Sequence, residues 1–212
     1  MKFSLIRPAA MLAMALGLAS CGGGSDDESY TVAGTVQGLQ YSGLVLTNNG
    51  EDITVAPPAK AGDDVTFAFS RKLEYGDTYN VTVKTRPDHQ SCEILAGNAD
   101  TAGRLATINA RFRCAVIPYA VGGTITGLTK DNTGLVLANG STTGTLTIAA
   151  ADTNTTGTAF PYELAAIPFG QTYSVAVITQ PKGARCTVAN PTGTMGDAAV
   201  TNVNVTCVQT GA

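Results

Sequence analysis

The sequence predicts an all-β protein made of two tandem antiparallel β-sandwich domains. Three observations support this fold class. Short segments alternate apolar and polar residues with a period of two, Gly, Asn and Pro separate these segments, and the whole pattern occurs twice along the chain. The chain has 24 Gly among 212 residues and is rich in Thr and Asn, which are poor helix formers, so a helical bundle is excluded.

Alternating segments identify the strands. We expect about six or seven strands in each domain, with one face on a core and one in water. No segment between them is long enough to be a crossover helix, which favours antiparallel pairing. Tyr79 and Tyr173 share the parity of the valines that follow them and are expected in the core. The clearest alternating segments are Val32–Val36, Tyr79–Val83, Ala110–Cys114 and Val203–Cys207.

An internal repeat divides the chain into two domains. Repeat 1 spans 30–114, repeat 2 spans 119–207, residues 115–118 form the linker and residues 208–212 the tail. Each repeat is large enough to fold alone. The short linker predicts a stiff tandem. The matched segments are Tyr30–Leu39 with Tyr119–Leu128, Gly43–Leu46 with Gly134–Leu137, Tyr75–Val83 with Phe169–Val177, and Thr85–Pro87 with Thr179–Pro181.

The N-terminal segment 1–20 is predicted to be a signal peptide. Lys2 and Arg7 precede an apolar stretch that is too short to span a bilayer comfortably. The stretch ends in Leu18-Ala19-Ser20-Cys21, which resembles the lipobox of bacterial lipoproteins. This resemblance implies that a diacylglyceryl group is added to the Cys21 thiol, that the peptide before Cys21 is then removed and the new amine acylated, and that Cys21 is the membrane anchor. The alternative is an ordinary secretory signal followed by a free cysteine.

Residues 21–29 are predicted to be a lipidated, flexible tether, since residues 22–29 have no apolar side chain to bury. Removing the signal peptide would remove two cations and no anion, and the net charge would change from −3 to −5. In enterobacterial lipoproteins an Asp directly after the lipidated Cys retains the protein in the inner membrane. Gly22 stands there in this chain, so the resemblance implies the outer membrane and leaves the leaflet open.

The cysteine count predicts two structural disulfides. With Cys21 used as the anchor, four of the five cysteines remain, two in each repeat, and four cysteines allow three pairings. The repetition favours Cys92 with Cys114 and Cys186 with Cys207, because antiparallel neighbours would place each pair within disulfide reach. A metal site or redox pair is the alternative. No Cys-x-x-Cys is present, and the single His has no counterpart in repeat 2.

The repeat as a whole resembles a domain found in tandem in secreted bacterial proteins, after a lipobox and a Cys-Gly-Gly-Gly-Ser leader. Its hallmarks are a Tyr-x-Val-x-Gly-Thr-Val-x-Gly-Leu opening, a Gly-Leu-Val-Leu strand before an Asn-Gly turn, a Tyr-x-Val-x-Val strand and a closing Cys. All occur in this chain, with Ala33 in place of the commoner Gly. The resemblance implies an immunoglobulin-like sandwich and supplies no activity.

The sequence offers few groups for catalysis, and we expect neither enzymatic activity nor a cofactor or metal. The only His, His89, lies in a turn that we expect to be exposed, and no Gly-x-Ser-x-Gly motif occurs. The acidic pairs Glu51-Asp52 and Asp63-Asp64 are interpreted as solvated loop charges. A net charge of −3 without a basic cluster excludes nucleic-acid binding.

These observations predict a lipid-anchored envelope protein that acts as a structural or binding module for an envelope component or an external partner. Repeat 2 has only 3 basic and 4 acidic residues, against 8 and 9 in repeat 1, so it could offer an adhesive face or be a stalk domain. Two alternatives remain. One is an accessory subunit or hydrolase that uses the loop carboxylates, and the other is a periplasmic chaperone with an open sheet edge.

Overall fold

The protein is all-β, as predicted. The computed structural model describes residues 29–105, 107–140, 144–151 and 153–211, and none of them is helical. The predicted signal peptide, Cys21 and residues 22–28 of the tether lie outside the described residues. No described segment is a helix long and apolar enough to span a bilayer.

Repeat 1 consists of eight strands in two sheets of four. One sheet has the strand order β4-β1-β8-β6 and the other β3-β2-β5-β7. The strands are β1 (Tyr30–Gln37), β2 (Leu44–Asn48), β3 (Glu51–Val55), β4 (Val65–Leu73), β5 (Thr78–Thr85), β6 (Gln90–Ala96), β7 (Ala99–Thr101) and β8 (Ile108–Val116).

Repeat 2 has the same eight strands in the same arrangement. Its sheets have the orders β12-β9-β16-β14 and β11-β10-β13-β15. The strands are β9 (Pro118–Thr126), β10 (Leu135–Asn139), β11 (Thr145–Ile148), β12 (Phe160–Pro168), β13 (Thr172–Thr179), β14 (Ala184–Val188), β15 (Thr192–Thr194) and β16 (Val205–Gln209). Eight strands exceed the six or seven expected, because β7 and β15 have only three residues each, too few for a period of two to be recognised in the sequence.

Each repeat has its own hydrophobic core, formed by the inward-facing side chains of strands in which buried and exposed residues alternate. In β8 the side chains of Ile108, Ala110, Phe112 and Cys114 are buried and those between them are exposed, as the period of two predicts. Tyr79 and Tyr173 are buried in the two cores, which confirms their predicted placement. The predicted strand from Val203 to Cys207 begins only at Val205, because the Val203 N–H donates to the Gly122 carbonyl outside the strand ladder.

One strand pair in each repeat departs from the predicted antiparallel pairing. β1 and β8 run parallel, with Val32 opposite Ile108, and β9 and β16 are parallel in the same way. Parallel neighbours need a long crossover connection. Here the strands between them, most of which belong to the other sheet, supply that crossover, so no helix is required.

Both predicted disulfides are present and join antiparallel neighbours. Cys92 lies opposite Cys114 in the β6–β8 pair, with 4.0 Å between their Cα atoms. Cys186 lies opposite Cys207 in the β14–β16 pair at 3.9 Å. Each bond therefore links directly facing residues of one sheet, a geometry unlike the inter-sheet bridge of antibody domains.

Tyr162 is buried in the core of repeat 2. It faces Gly123 across β9, as Phe67 faces Gly34 in repeat 1. Its hydroxyl donates to the Val203 carbonyl at 2.7 Å, and burial raises its pKa to about 12.

We expect Tyr162→Phe to alter how the stability of the protein depends on pH. In the folded wild type the phenol keeps its proton to about pH 12, whereas in the unfolded chain it ionises near pH 10. The wild type should therefore lose stability as pH rises from about 10 to 12, and this contribution should be missing in the variant. At neutral pH the lost hydrogen bond should cost about 1 kcal/mol. Urea unfolding across this pH range measures both effects, and identical pH slopes for the two proteins would contradict the assignment.

Candidate functional site

The repeats meet at a junction formed by one linker residue and four side chains. β8 extends through Val116 and β9 begins at Pro118, so only Ile117 separates the strands. The four side chains are Tyr41 and His89 from repeat 1 and Phe169 and Asp197 from repeat 2, and we call this set the junction cluster.

The backbone of Ile117 is hydrogen bonded to both repeats. Its N–H donates to the His89 carbonyl at 2.9 Å, and its carbonyl accepts from the Phe169 N–H at 3.1 Å. Both polar groups of the linker residue are therefore satisfied, one by each domain. A linker held in this way restricts rotation between the repeats, because turning would break one of the two bonds.

Ring stacking reinforces these backbone bonds. The imidazole of His89 lies flat on the Phe169 ring, with 3.6 Å between ring centroids and an interplanar angle of 4°. The edge of Tyr41 completes the group, with its ring centroid 5.0 Å from that of His89 and 5.9 Å from that of Phe169. Edge-to-face and stacked pairs of this kind stabilise contacts beyond the area that they bury.

An acid completes the junction cluster. His89 Nδ1 lies 2.6 Å from Asp197 Oδ1, across a sequence separation of 108 residues. The two groups form a charged pair when the imidazole is protonated. The His89 side chain is 28% exposed, so it is partly desolvated and covered by the other repeat. The expected turn is present and is exposed at Asp88, whereas the His89 side chain is only partly exposed.

Local structure in repeat 1 fixes the positions of both its junction rings. His89 adopts a left-handed backbone with φ of 55°, which turns the chain at the start of β6. The next residue, Gln90, is fully buried, and its Oε1 accepts from the N–H groups of Gln40 and Tyr41 at 2.8 and 3.0 Å. Its Nε2 donates to the Gly38 carbonyl at 2.8 Å. Gln90 thus holds the loop that places Tyr41 beside His89.

The repeat fold does not itself require a ring at the His89 position. In repeat 2 the equivalent residue is Gly183, identified by the bond from the Thr210 N–H to its carbonyl at 3.0 Å, which matches the bond from Ile117 to His89. Gly183 has a similar backbone, with φ of 74°. His89 occupies a position that favours glycine, and its side chain is explained by the contact with repeat 2.

The interpretation of Glu51 and Asp52 as loop charges is wrong, because both residues belong to β3, and neither lies at the junction cluster. Glu51 accepts hydrogen bonds from the Ser70 N–H and hydroxyl at 2.8 and 2.7 Å and from the Arg71 N–H at 3.1 Å. The bonds from Ser70 are the main reason that its pKa is lowered. A hydrogen bond from Lys84 is the main cause of the lowered pKa of Asp52. The Glu51 carboxylate thus binds β4, and the Asp52 carboxylate binds a side chain of β5.

The second acidic pair is also apart from the histidine. Asp63 lies 3.9 Å from the Lys60 ammonium, and Asp64 accepts from the Gln37 side chain at 3.3 Å. His89 and Asp197 provide a base and an orienting acid, but within the described ranges no Ser, Thr or Cys side chain is hydrogen bonded to His89. The contacts of the junction cluster support docking of one repeat onto the other.

Sequence reasoning missed Tyr41, Phe169 and Asp197 as residues of the junction cluster, and Gln90 as the residue that positions Tyr41. The alignment matched Phe169 with Tyr75, and this aromatic position was the available signal. Asp197 gave no signal, because it meets His89 only when the two domains are docked. Within the described part of the chain, no group of three or more His, Cys, Asp or Glu side chains could hold a metal ion.

No protein-family model matches the chain, and no curated protein is significantly similar to it.

Proposed function

We propose that the protein is a non-enzymatic, lipid-anchored module of the bacterial cell envelope, whose two repeats act as one rigid unit. The observation that carries the proposal is the linker residue Ile117, whose backbone is hydrogen bonded to both repeats beside the junction cluster. A domain that only needed to be tethered would not require a fixed junction. A fixed junction suits a protein that holds a binding surface at a set distance and orientation.

The sequence supports the location. The lipobox-like segment supports an anchor at Cys21, nine residues before β1, in a chain whose four remaining cysteines are all oxidised. In this arrangement repeat 1 is proximal to the membrane and repeat 2 is distal. Repeat 2 has few charges and is rich in Thr, Asn and small residues, which suits contact with an envelope component or an external partner.

The use of the only histidine also supports a non-enzymatic role. Both the imidazole face and Nδ1 of His89 are engaged by repeat 2. A hydrolytic role would require this ring to reach a nucleophile and a substrate, and the stack on Phe169 fixes it between domains instead.

We expect Cys21→Ser to remove the protein from the outer membrane. Without the thiol no lipid can be attached, and the lipid is the anchor on which the proposal depends. The measurement is fractionation of bacterial cells after a high-salt wash, with mass analysis of the N-terminus and separation of inner from outer membrane on a density gradient. The wild type should remain in the outer-membrane fraction with acyl chains on Cys21, and the variant should carry no acyl chain and should be missing from that fraction.

The double variant Cys92→Ala/Cys114→Ala provides the matched control, because it also removes cysteines yet should stay in the membrane. If Cys21→Ser remained in the outer-membrane fraction, or if the mature wild type carried no lipid, the proposal of a lipid anchor would be wrong.

A further inference from the structure

Each repeat has an upstream face, which we define as the end where its first strand begins. The turn after the fourth strand and the loop after the seventh strand form this face. In repeat 1 the Gly76 N–H donates to the Ala102 carbonyl at 3.1 Å. In repeat 2 the Gly170 N–H donates to the Met195 carbonyl at 2.9 Å. These bonds make the two faces equivalent, so Tyr75 corresponds to Phe169 and Arg104 corresponds to Asp197.

The two upstream faces differ in what covers them. In repeat 2, Phe169 and Asp197 are docked against repeat 1 at the junction cluster. In repeat 1 the equivalent aromatic, Tyr75, is 75% exposed, and Leu105 on the same face is 56% exposed. The Tyr75 ring packs over Gly103, where a Cβ would lie only 2.2 Å from its Cδ2 atom. The ring is thus supported on one side and open on the other.

The proposed anchor leads directly to this face. Tyr30, the first residue of β1, pairs with Leu73, two residues before Tyr75. Nine residues, Cys21 to Ser29, join the anchor to β1, and fully extended they span about 30 Å. In a protein anchored at Cys21, the upstream face of repeat 1 is therefore the surface nearest the bilayer.

We propose that the upstream face of repeat 1 rests on the lipid bilayer, with Tyr75 and Leu105 in the interfacial region and Arg104 at the phosphates. This inference rests on the lipid anchor of the proposed function. Transfer of tyrosine and leucine side chains from water to the membrane interface is favourable, and arginine reaches the headgroups with its long side chain. The contact is weak in itself, and the anchor makes it effective by holding the face close to the membrane.

The charges of the face indicate which lipids it contacts. Asp100 lies 3.3 Å from the Arg104 guanidinium, and Asp77 accepts from the Glu74 N–H at 3.0 Å. Glu74 and the tether residues Asp26 to Glu28 add further negative charge. An anionic surface would repel these groups, so the face fits zwitterionic lipids such as phosphatidylethanolamine and phosphatidylcholine.

The absence of tryptophan from the chain gives a direct test. Tyr75→Trp introduces a single fluorescent reporter at the face. The lipidated protein would be reconstituted into phosphatidylethanolamine and phosphatidylcholine vesicles with brominated acyl chains. A residue buried about 5–10 Å into the interface should lose roughly half of its emission to these lipids. Ile178→Trp is the matched control, since Ile178 is 60% exposed on repeat 2 and its reporter should keep its emission.

Flotation of the same samples with the vesicles separates the anchor from the face. If the Tyr75→Trp protein floats and its emission is quenched, both proposals are supported. If it floats but is quenched no more than the Ile178→Trp protein, the face does not rest on the bilayer, although the anchor is correct. If the protein does not float with the vesicles, both the lipid anchor and the bilayer contact are contradicted.

Two further results would also overturn the bilayer contact. One is quenching that requires anionic lipid and disappears in salt, which would indicate electrostatic adsorption of the chain. The other is a Tyr75→Trp reporter that is shielded from water in native envelopes but not in pure lipid vesicles, which would indicate a membrane protein as the partner. Adding Leu105→Ser to the Tyr75→Trp protein should reduce the quenching of the floating sample, and an unchanged value would contradict the assigned surface.

Discussion

Replacing Cys186 and Cys207 with alanine should lower the free energy of unfolding of repeat 2 by about 3 kcal/mol. The disulfide closes a loop with a sequence separation of 21 residues, so its loss frees the unfolded chain. Both cysteines are also buried in the core, and removal of their sulfur atoms leaves space there. Urea unfolding of the mature Cys21→Ser protein, followed by circular dichroism, measures the change.

Two controls separate the crosslink from the buried volume. Reduced wild-type protein keeps its sulfur atoms but loses the bonds, so it should show most of the same destabilisation. The equivalent pair Cys92→Ala and Cys114→Ala should lower the stability of repeat 1 by a similar amount, since that loop has a separation of 22 residues. A change below about 1 kcal/mol in both repeats would mean that the disulfides do not stabilise the fold in the way we describe.

Phe169→Ala should uncouple the two repeats. The variant loses the stack on His89 and the edge contact with Tyr41, and we expect a loss of about 2 kcal/mol in coupling free energy. The repeats should then unfold in two separate transitions in calorimetry. Tyr75→Ala is the matched control, because Tyr75 is the equivalent residue of repeat 1 and is 75% exposed. Equal effects of the two changes would contradict the role of the junction cluster.

The strands and the core of each repeat follow from local sequence. Alternation in β8 directly specifies which side chains face inward, and the repetition of cysteines is enough to predict their pairing. The short strand β7 and the parallel pairing of β1 with β8 do not follow from it. The first has too few residues to show a period, and the second depends on how the chain returns after crossing the other sheet.

The junction cluster depends on information that a local pattern does not contain. His89 and Asp197 meet only because Ile117 sets the orientation of two complete domains. The positive φ of His89 is likewise invisible in its sequence context, whereas Gly183 at the equivalent position suggests such a backbone. A histidine in place of a glycine at a turn is therefore the kind of difference between repeats that indicates a contact between domains.

The distance between spin labels on the two repeats tests the rigid junction most directly. Lys60→Cys and Ile178→Cys place one label on each repeat at exposed positions, in the Cys21→Ser background with both disulfides intact. We expect pulsed electron–electron double resonance to give a narrow distribution of distances between the two labels. This distribution should broaden when His89→Ala and Phe169→Ala are introduced together. A broad distribution in the parent protein, unchanged by these two substitutions, would contradict the claim that the repeats form one rigid unit.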